Sequence, residues 1–364
     1  MEDKLGLIVL ENCKELGEKV NKHLQTINKT KKNYIIPINQ VRFNNGEGKI
    51  VIKETIREKN IFILSDVSNL NCTYKLFNNT NYMGPDDHFQ DIKRVISAIG
   101  GNASKISIIM PYLYASRQHK RKGRESLDCA MSLQELERLG IKNIITFDAH
   151  DPNVQNAIPC LSFENFYPTH IMLNDFIKKE DVNFKNLLVV SPDVGAMDRA
   201  RYYADILGCD AGMFYKRRDL SIIVDGKNPI VAHEYIGPSI KGKDIIVVDD
   251  MIASGDSILD IVKQIYERKA NNIYIFCTFA WFTNGLKEFD KYFKTKKIKR
   301  LYTSNLSYIP SIAKERQWLC EVDCSKFLAN IINTLYHQHS LTPLLNGKAE
   351  ILKRIEVKYN KDNK

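Results

Sequence analysis

The segment richest in chemistry is Ile245-Ile246-Val247-Val248-Asp249-Asp250-Met251-Ile252-Ala253-Ser254-Gly255-Asp256-Ser257. Its Ile/Val run reads as a strand buried on both faces, delivering two consecutive acids at its carboxyl end. A short loop of small and hydroxyl residues then opens into a helix whose Ile258, Ile261, Val262 and Ile265 recur at i, i+3, i+4 and i+7. The first N–H groups of such a helix lack intrahelical acceptors, so with the Ser254 and Ser257 hydroxyls they can hold a phosphate. Asp249 and Asp250 can bind ribose hydroxyls or a magnesium ion. Two acids and a Ser/Gly turn also suffice merely to cap a helix; the strand-loop-helix context favours the anion cradle.

Other segments carry weaker signals. His150 lies just past a strand end, two residues after Asp148 and beside Asp151. A neutral imidazole there can ligate Mg²⁺ or contact nucleotide phosphates, and it can equally be a hydrogen-bonded loop histidine. Arg117 and Gln118 open the run RQHKRKGRE, in which Lys120, Arg121, Lys122 and Arg124 read as a mobile, solvated loop that attracts polyphosphate. Lys216-Arg217-Arg218 is a short basic group that reads either as a surface patch or as cations aimed at phosphate. The densest basic run, Lys287–Arg300, is expected to be a solvated face, because aromatic residues interleave with it too weakly for nucleic-acid binding. The eight cysteines contain no C-x-x-C pair, and Cys320 and Cys324 have no second pair to complete a zinc site, so reduced and mostly buried thiols are expected.

These residues need a scaffold. At about 150 residues per domain, 364 residues make two or so domains, with cores large enough to do without disulfides. With 44% hydrophobic and 26% charged residues the chain is globular rather than disordered or collagenous, and its formal charge of +10 suits an anionic ligand. Candidate strands at Ile61–Leu64, Ile106–Met110, Ile144–Phe147, Leu187–Val190, Ile245–Val248 and Ile273–Cys277 alternate with helical stripes at 126–139, 257–269 and 328–335. That alternation predicts the α/β class with parallel sheets, where ligands bind beyond the carboxyl ends of strands. A boundary is expected near Pro159–Pro168. No stretch is apolar enough to span a membrane and the N-terminus lacks a secretory core, so a cytoplasmic protein is expected.

The Asp249–Ser257 segment resembles the ribose-phosphate loop of the phosphoribosyltransferase-type fold, and further segments narrow the resemblance to the ribose-phosphate pyrophosphokinase family. Arg42-Phe43-Asn44-Asn45-Gly46-Glu47 is similar to that family's ATP-contacting loop, and Pro111–Gln118 to its proline-tyrosine strand end with the Arg-Gln pair. Thr146–His150 resembles its metal-binding Asp-x-His turn, Ser191-Pro192-Asp193-Val194-Gly195 its second acidic turn, and Lys216–Arg218 its catalytic basic loop. The motifs stand in the family's order from about Val41 to about Gly347.

The resemblance implies two similar phosphoribosyltransferase-type domains, each a mainly parallel sheet flanked by helices. Residues 1–165 would be an N-terminal ATP-binding and assembly domain and 166–364 a C-terminal ribose-phosphate-binding domain, with the last helix packing back on the first. It implies transfer of diphosphate from ATP to ribose 5-phosphate for nucleotide biosynthesis, with Lys216 and Arg218 as catalytic cations. Phe43, Asn45, Glu47, Arg117, Gln118 and His150 would bind ATP, with Phe43 stacking on adenine. Asp249, Asp250, Ser254, Gly255, Asp256 and Ser257 would bind ribose 5-phosphate, and His150 and Asp193 would meet Mg²⁺. A homo-oligomer of the hexamer-of-dimers type follows, its ATP loop reaching a neighbouring subunit's site, with no nucleic-acid or membrane partner.

Four positions depart from the family pattern. Ala253 stands where an acid is usual, Asp256 adds an acid to the phosphate loop, Asn45 replaces an acid in the ATP loop, and His119 replaces one after Arg117-Gln118. Asp256 is expected to cap the following helix with its side chain turned from the phosphate. A phosphoribosyltransferase that consumes the activated sugar, and a catalytically weak nucleotide-binding regulator, remain alternatives at this point.

Overall fold

The computed structural model describes residues 4–218, 230–345 and 347–362; the side chains of 216–218, 230–233 and 359–362 lie outside the described residues. The chain forms two compact units. One comprises Met1–Pro168, Asn305–Tyr308 and Asp323–Leu345, the other Thr169–Ser304, Ile309–Val322 and Asn346–Lys364. Among the described residues no helix is long and apolar enough to cross a membrane.

The first unit runs through β1 (Leu5–Val9), α1 (Lys14–Ile27), the hairpin β2 (Ile38–Arg42) and β3 (Gly48–Ile52), β4 (Asn60–Leu64), and the hairpin β5 (Thr73–Leu76) and β6 (Asn79–Tyr82). It continues through α2 (Pro85–Ile99), β7 (Lys105–Ile109), α3 (Asp128–Arg138), β8 (Asn143–Phe147) and β9 (Ser162–Phe166). Among the described residues its main sheet has five strands in the order β1-β4-β7-β8-β9, all parallel. All five residues of β8 are buried, as its apolar run requires. Pro85 opens α2 at its first turn, where a missing N–H costs nothing, and Gly100 closes it at φ +56°.

The second unit contains α4 (Thr169–Lys179), β10 (Leu187–Ser191), α5 (Met197–Leu207), β11 (Asp210–Arg218), β12 (Ile230–Ile236) and β13 (Asp244–Ile252). It goes on with α6 (Asp256–Glu267), β14 (Ile273–Ala280), α7 (Lys287–Lys294), β15 (Arg300–Ser304), α8 (Ser311–Lys314) and β16 (Leu319–Val322). The helices α9 (Ser325–Tyr336) and α10 (Thr342–Leu345) belong to the first unit, and α11 (Lys348–Asp362) to the second. The helix that returns to the first unit is thus α9 and not the last one, and the chain passes from first to second unit at 168/169 against an expected 165/166.

Among the described residues this sheet has seven strands in the order β12-β11-β10-β13-β14-β15-β16, every pairing parallel except β11 with β12. Because side chains alternate across a strand, Ile245 and Val247 of β13 enter the core shared with α6, while Ile246 and Val248 enter the opposite core with α4 and α5. The strand is therefore pinned from both sides. Parallel pairing also puts the carboxyl ends of β10, β11 and β13 on one edge of the sheet, which is where the segments read as chemical emerge.

Asp66, just past β4, explains why Asn305–Tyr308 belongs to the first unit. It is buried, and its Oδ1 accepts from the Ser68 N–H (3.0 Å) and Oγ (2.7 Å). Its Oδ2 accepts from the Ser307 Oγ (3.0 Å) and the Tyr308 N–H (2.8 Å). Burial raises its carboxyl above the ordinary range, and these four donors pull against that rise.

Candidate active site

Asp249 and Asp250 lie inside β13 rather than past its end, since the strand runs on to Ile252 opposite Ala280 of β14. Asp249 Oδ1 accepts the Asp250 N–H at 2.9 Å, and the two side chains share a hydrogen bond. Burial first, and then the charge of Asp250, push the Asp249 carboxyl well above the ordinary range; Arg199 on α5 pulls it down and Asp193 adds to the rise. Ionising both members of the pair is therefore costly.

The loop that follows turns at Gly255, with φ +94°, a region that glycine enters without cost. A Cβ there would also lie 2.5 Å from Cε2 of Phe289, so the buried α7 ring closes the space beneath the turn. The residue that caps α6 is Gly255 and not Asp256, as had been expected; Asp256 is the helix's first residue and is exposed. Its Oδ2 accepts from Asn284 Nδ2 at 3.3 Å, and its N–H points to Ser254 Oγ at 3.4 Å. Ser257 is exposed in the same turn. A helix start with free N–H groups and two hydroxyls can take a phosphate.

Asp193 follows β10 in a turn where the Ser191 Oγ donates to its carbonyl at 2.6 Å and the Ala196 N–H donates to its Oδ1 at 3.2 Å, leading into α5. Lys216 and Arg218 fall on β11, the neighbour of β10; their side chains lie outside the described residues.

In the first unit two loops meet. The Pro111 carbonyl accepts from the Phe147 N–H (3.0 Å) and the Thr146 Oγ1 (3.2 Å), and the His150 N–H donates to Ser116 Oγ at 3.1 Å. Arg117 and His150 are both exposed. Ala115 (φ +53°) and Asp148 (φ +45°) make the turns of the two loops with left-handed backbone, uncommon for residues with a Cβ and often found at functional sites. Gln118 Nε2 donates to the Ser126 carbonyl at 2.8 Å, closing the base of the basic loop. The His119 ring lies 5.2 Å from that of His150, and its Nε2 is 3.4 Å from Asp151 Oδ2; burial, only partly offset by Asp151, lowers its pKa and favours the neutral ring.

Phe43, Asn45 and Glu47 form the tip of the β2–β3 hairpin. Arg42 anchors it, with Nη2 2.9 Å from Asp91 Oδ2 on α2. Asn45 Oδ1 accepts the Glu47 N–H at 3.1 Å, so this side chain shapes the tip itself, and Phe43 is 47% exposed, its ring available for stacking. Asp193 and His150, expected together on magnesium, stand in different units, and among the described residues no three His, Cys, Asp or Glu side chains converge as a metal cage. Sequence reasoning missed Ser116, Arg199 and Asn284, none of which carries a local signal.

A Ser/Gly loop at the carboxyl end of a central parallel strand, opening into a helix, is the arrangement found in proteins of the phosphoribosyltransferase type. Residues 5–140 match the model for the N-terminal domain of ribose phosphate pyrophosphokinase, and residues 171–307 the model for the phosphoribosyl transferase domain. The ribose-phosphate pyrophosphokinase of Ralstonia nicotianae is 29% identical over 277 residues, 74% of this chain and 77% of that protein. That of Bacillus cereus is 26% identical over 352 residues, 95% of this chain and 98% of the relative. The fold is like that of phosphoribosylpyrophosphate synthetase from Mycobacterium smegmatis, with a TM-score of 0.75 at 20% identity, covering 92% of this chain and 99% of that one. The chain belongs to the ribose-phosphate pyrophosphokinase family.

A carboxyl whose folded pKa is raised contributes stability that is fully present below its unfolded pKa and is lost as pH rises through the folded pKa, because ionisation costs more in the folded than in the unfolded state. Asp249→Asn keeps the Oδ1 acceptor and removes the charge. Thermal unfolding followed against pH should show the variant gaining stability over the natural chain as pH rises. A variant less stable at every pH would show that the carboxylate pair is not a source of strain.

Proposed function

We propose that the protein transfers the diphosphoryl group of ATP to the 1-hydroxyl of ribose 5-phosphate, giving 5-phosphoribosyl 1-pyrophosphate and AMP. The observation that carries this reading is the Asp249–Ser257 segment: an acid pair and a phosphate-accepting helix start at the carboxyl end of β13. The family's activity supplies the rest. In this reading the Ser254–Ser257 loop and the α6 N–H groups hold the 5-phosphate, and Asp249 and Asp250 hold the ribose hydroxyls. Arg117, Gln118 and His150 receive the ATP phosphates, and Phe43 stacks on adenine with Asn45 and Glu47 at its edge.

Moving a polyanionic fragment between two anionic partners demands positive charge that strengthens in the transition state. Lys216 and Arg218 are the groups assigned that role, the guanidinium being suited to bidentate contact with phosphate oxygens. Mg²⁺ fits the donors present: it commonly keeps its waters and binds one or two protein groups together with substrate phosphates, so no closed cage is required. The resemblance assigns Asp193 of the second unit and His150 of the first to it, and it would supply neutralisation of the phosphate charge. The acids around Asp249 make that edge of the sheet attractive to a cation. The reaction is assigned to the cytoplasm with no nucleic-acid or membrane partner; Lys287, Lys291 and Lys294 are exposed on α7 while Phe289 is buried, which fits a solvated basic face. The active form is read as a homo-oligomer, of the hexamer-of-dimers type, that shares ATP sites between subunits.

Purified protein incubated with ATP, ribose 5-phosphate and Mg²⁺ should yield AMP and phosphoribosyl pyrophosphate in equal amounts. Lys216→Ala and Arg218→Ala should each lower kcat by roughly a hundredfold or more with little change in KM for ribose 5-phosphate. Absence of either product sinks the activity, and an unchanged kcat removes that residue from the chemistry. Shared sites have their own test: Phe43→Ala and Arg117→Ala proteins, each inactive, should regain activity when dissociated and reassembled together. Verified mixed oligomers without recovery would mean that the ATP site is built within one chain.

A further inference from the structure

The phosphate loop carries an acid where a phosphate has to approach. Asp256 is the first residue of α6, and a carboxylate there is favourable to the helix because it meets the partial positive charge of the N-terminus. A phosphate dianion uses the same field, and two like charges sharing it repel. The loop can serve a sugar phosphate only if that carboxylate is kept aside.

The segment after β14 provides the means. Pairing between β13 and β14 continues beyond the strands: Ile252 faces Ala280, the Trp281 N–H donates to the Ile252 carbonyl at 2.9 Å, and the Thr283 N–H donates to the Ala253 carbonyl at 2.8 Å. This register carries Asn284 alongside Asp256, where its Nδ2 donates to Oδ2 at 3.3 Å. Further along, the Phe289 ring fills the space under Gly255 and stacks on Trp318 at 5.4 Å, whose Nε1–H donates to Asp290 Oδ1 at 2.8 Å. The brace is thus fixed to the core at one end and to the phosphate loop at the other. We infer that Asn284 is a positioning residue that holds the Asp256 carboxylate beside the phosphate cradle, allowing the chain to bind a sugar phosphate despite the acid in its loop. The inference rests on the ribose 5-phosphate reading of this site.

The test is a double-mutant cycle in the full chain, with ribose 5-phosphate as the probe and both calorimetric Kd and steady-state kinetics as readouts. Asn284→Ala should weaken binding and raise KM by about five- to tenfold, with kcat little changed, because Asn284 touches none of the transferring atoms. The loss should shrink as salt is raised, since it is a repulsion between charges. In an Asp256→Asn background the same Asn284→Ala change should have no effect on binding. An equal loss in both backgrounds would make Asn284 a merely structural support and overturn the inference, as would no loss in the natural chain. If the folded natural chain takes up no ribose 5-phosphate, the site reading fails, and the inference with it.

Discussion

Crowding of negative charge at Asp249 and Asp250 sets the terms for the second unit. The two carboxyls share a hydrogen bond in a place where burial already disfavours ionisation, and Asp193 adds to the load from the next strand. The α6 N-terminus and Arg199 on α5 supply positive charge at that edge of the sheet, where β10 pairs with β13 on one side and β11 on the other. Position along the sheet and the sign of each group's charge therefore belong to one design. The two packed cores that grip β13 from either face keep the acids from relaxing apart.

The first unit solves a different problem. Its chemical residues need exposure rather than burial, and they stand on loops whose backbones are fastened from below: Pro111 to Phe147 and Thr146, Ser116 to His150, and Asn165 Oδ1 to the Ala149 N–H at 3.0 Å. Arg117 and His150 stay solvent-facing while their main chain is held. The β2–β3 hairpin follows the same logic, with Arg42 anchored on Asp91 and the Phe43 ring left outside. Rigid backbone with open side chains is how loops on a fixed scaffold present binding groups to solvent.

Much of this was legible in the sequence because it rests on local patterns. Runs such as Ile245–Val248 and Ile144–Phe147 name buried strands, and the 3.6-residue stripe after Ser257 names α6. The two hairpins escaped notice because short, partly exposed strands such as Thr73–Leu76 lack an apolar run. The return of Asn305–Tyr308 to the first unit depends on Ser307 meeting Asp66, 241 positions away, and no local period records that. Asp256 was recognisable as an unusual acid, but its partner Asn284 lies 28 residues on and is an ordinary loop residue by type. Asn45 carries a further contact that its type does not announce: its oxygen accepts the Glu47 N–H and shapes the hairpin tip.

The most direct measurement of the charge crowding is proton release. Mg²⁺ and ribose 5-phosphate, added separately and together, would be titrated into the protein by calorimetry in buffers of different ionisation enthalpy, from acid to neutral pH, with Asp249→Asn as the control. Burial, Asp250 and Asp193 all disfavour ionisation of Asp249, and Mg²⁺ at Asp193 would offset part of that charge, so net proton release is expected with Mg²⁺ present and should vanish in the variant. Binding with no proton exchange at any pH, or equal release from the variant, would contradict a strained carboxylate pair as the organising feature of the site.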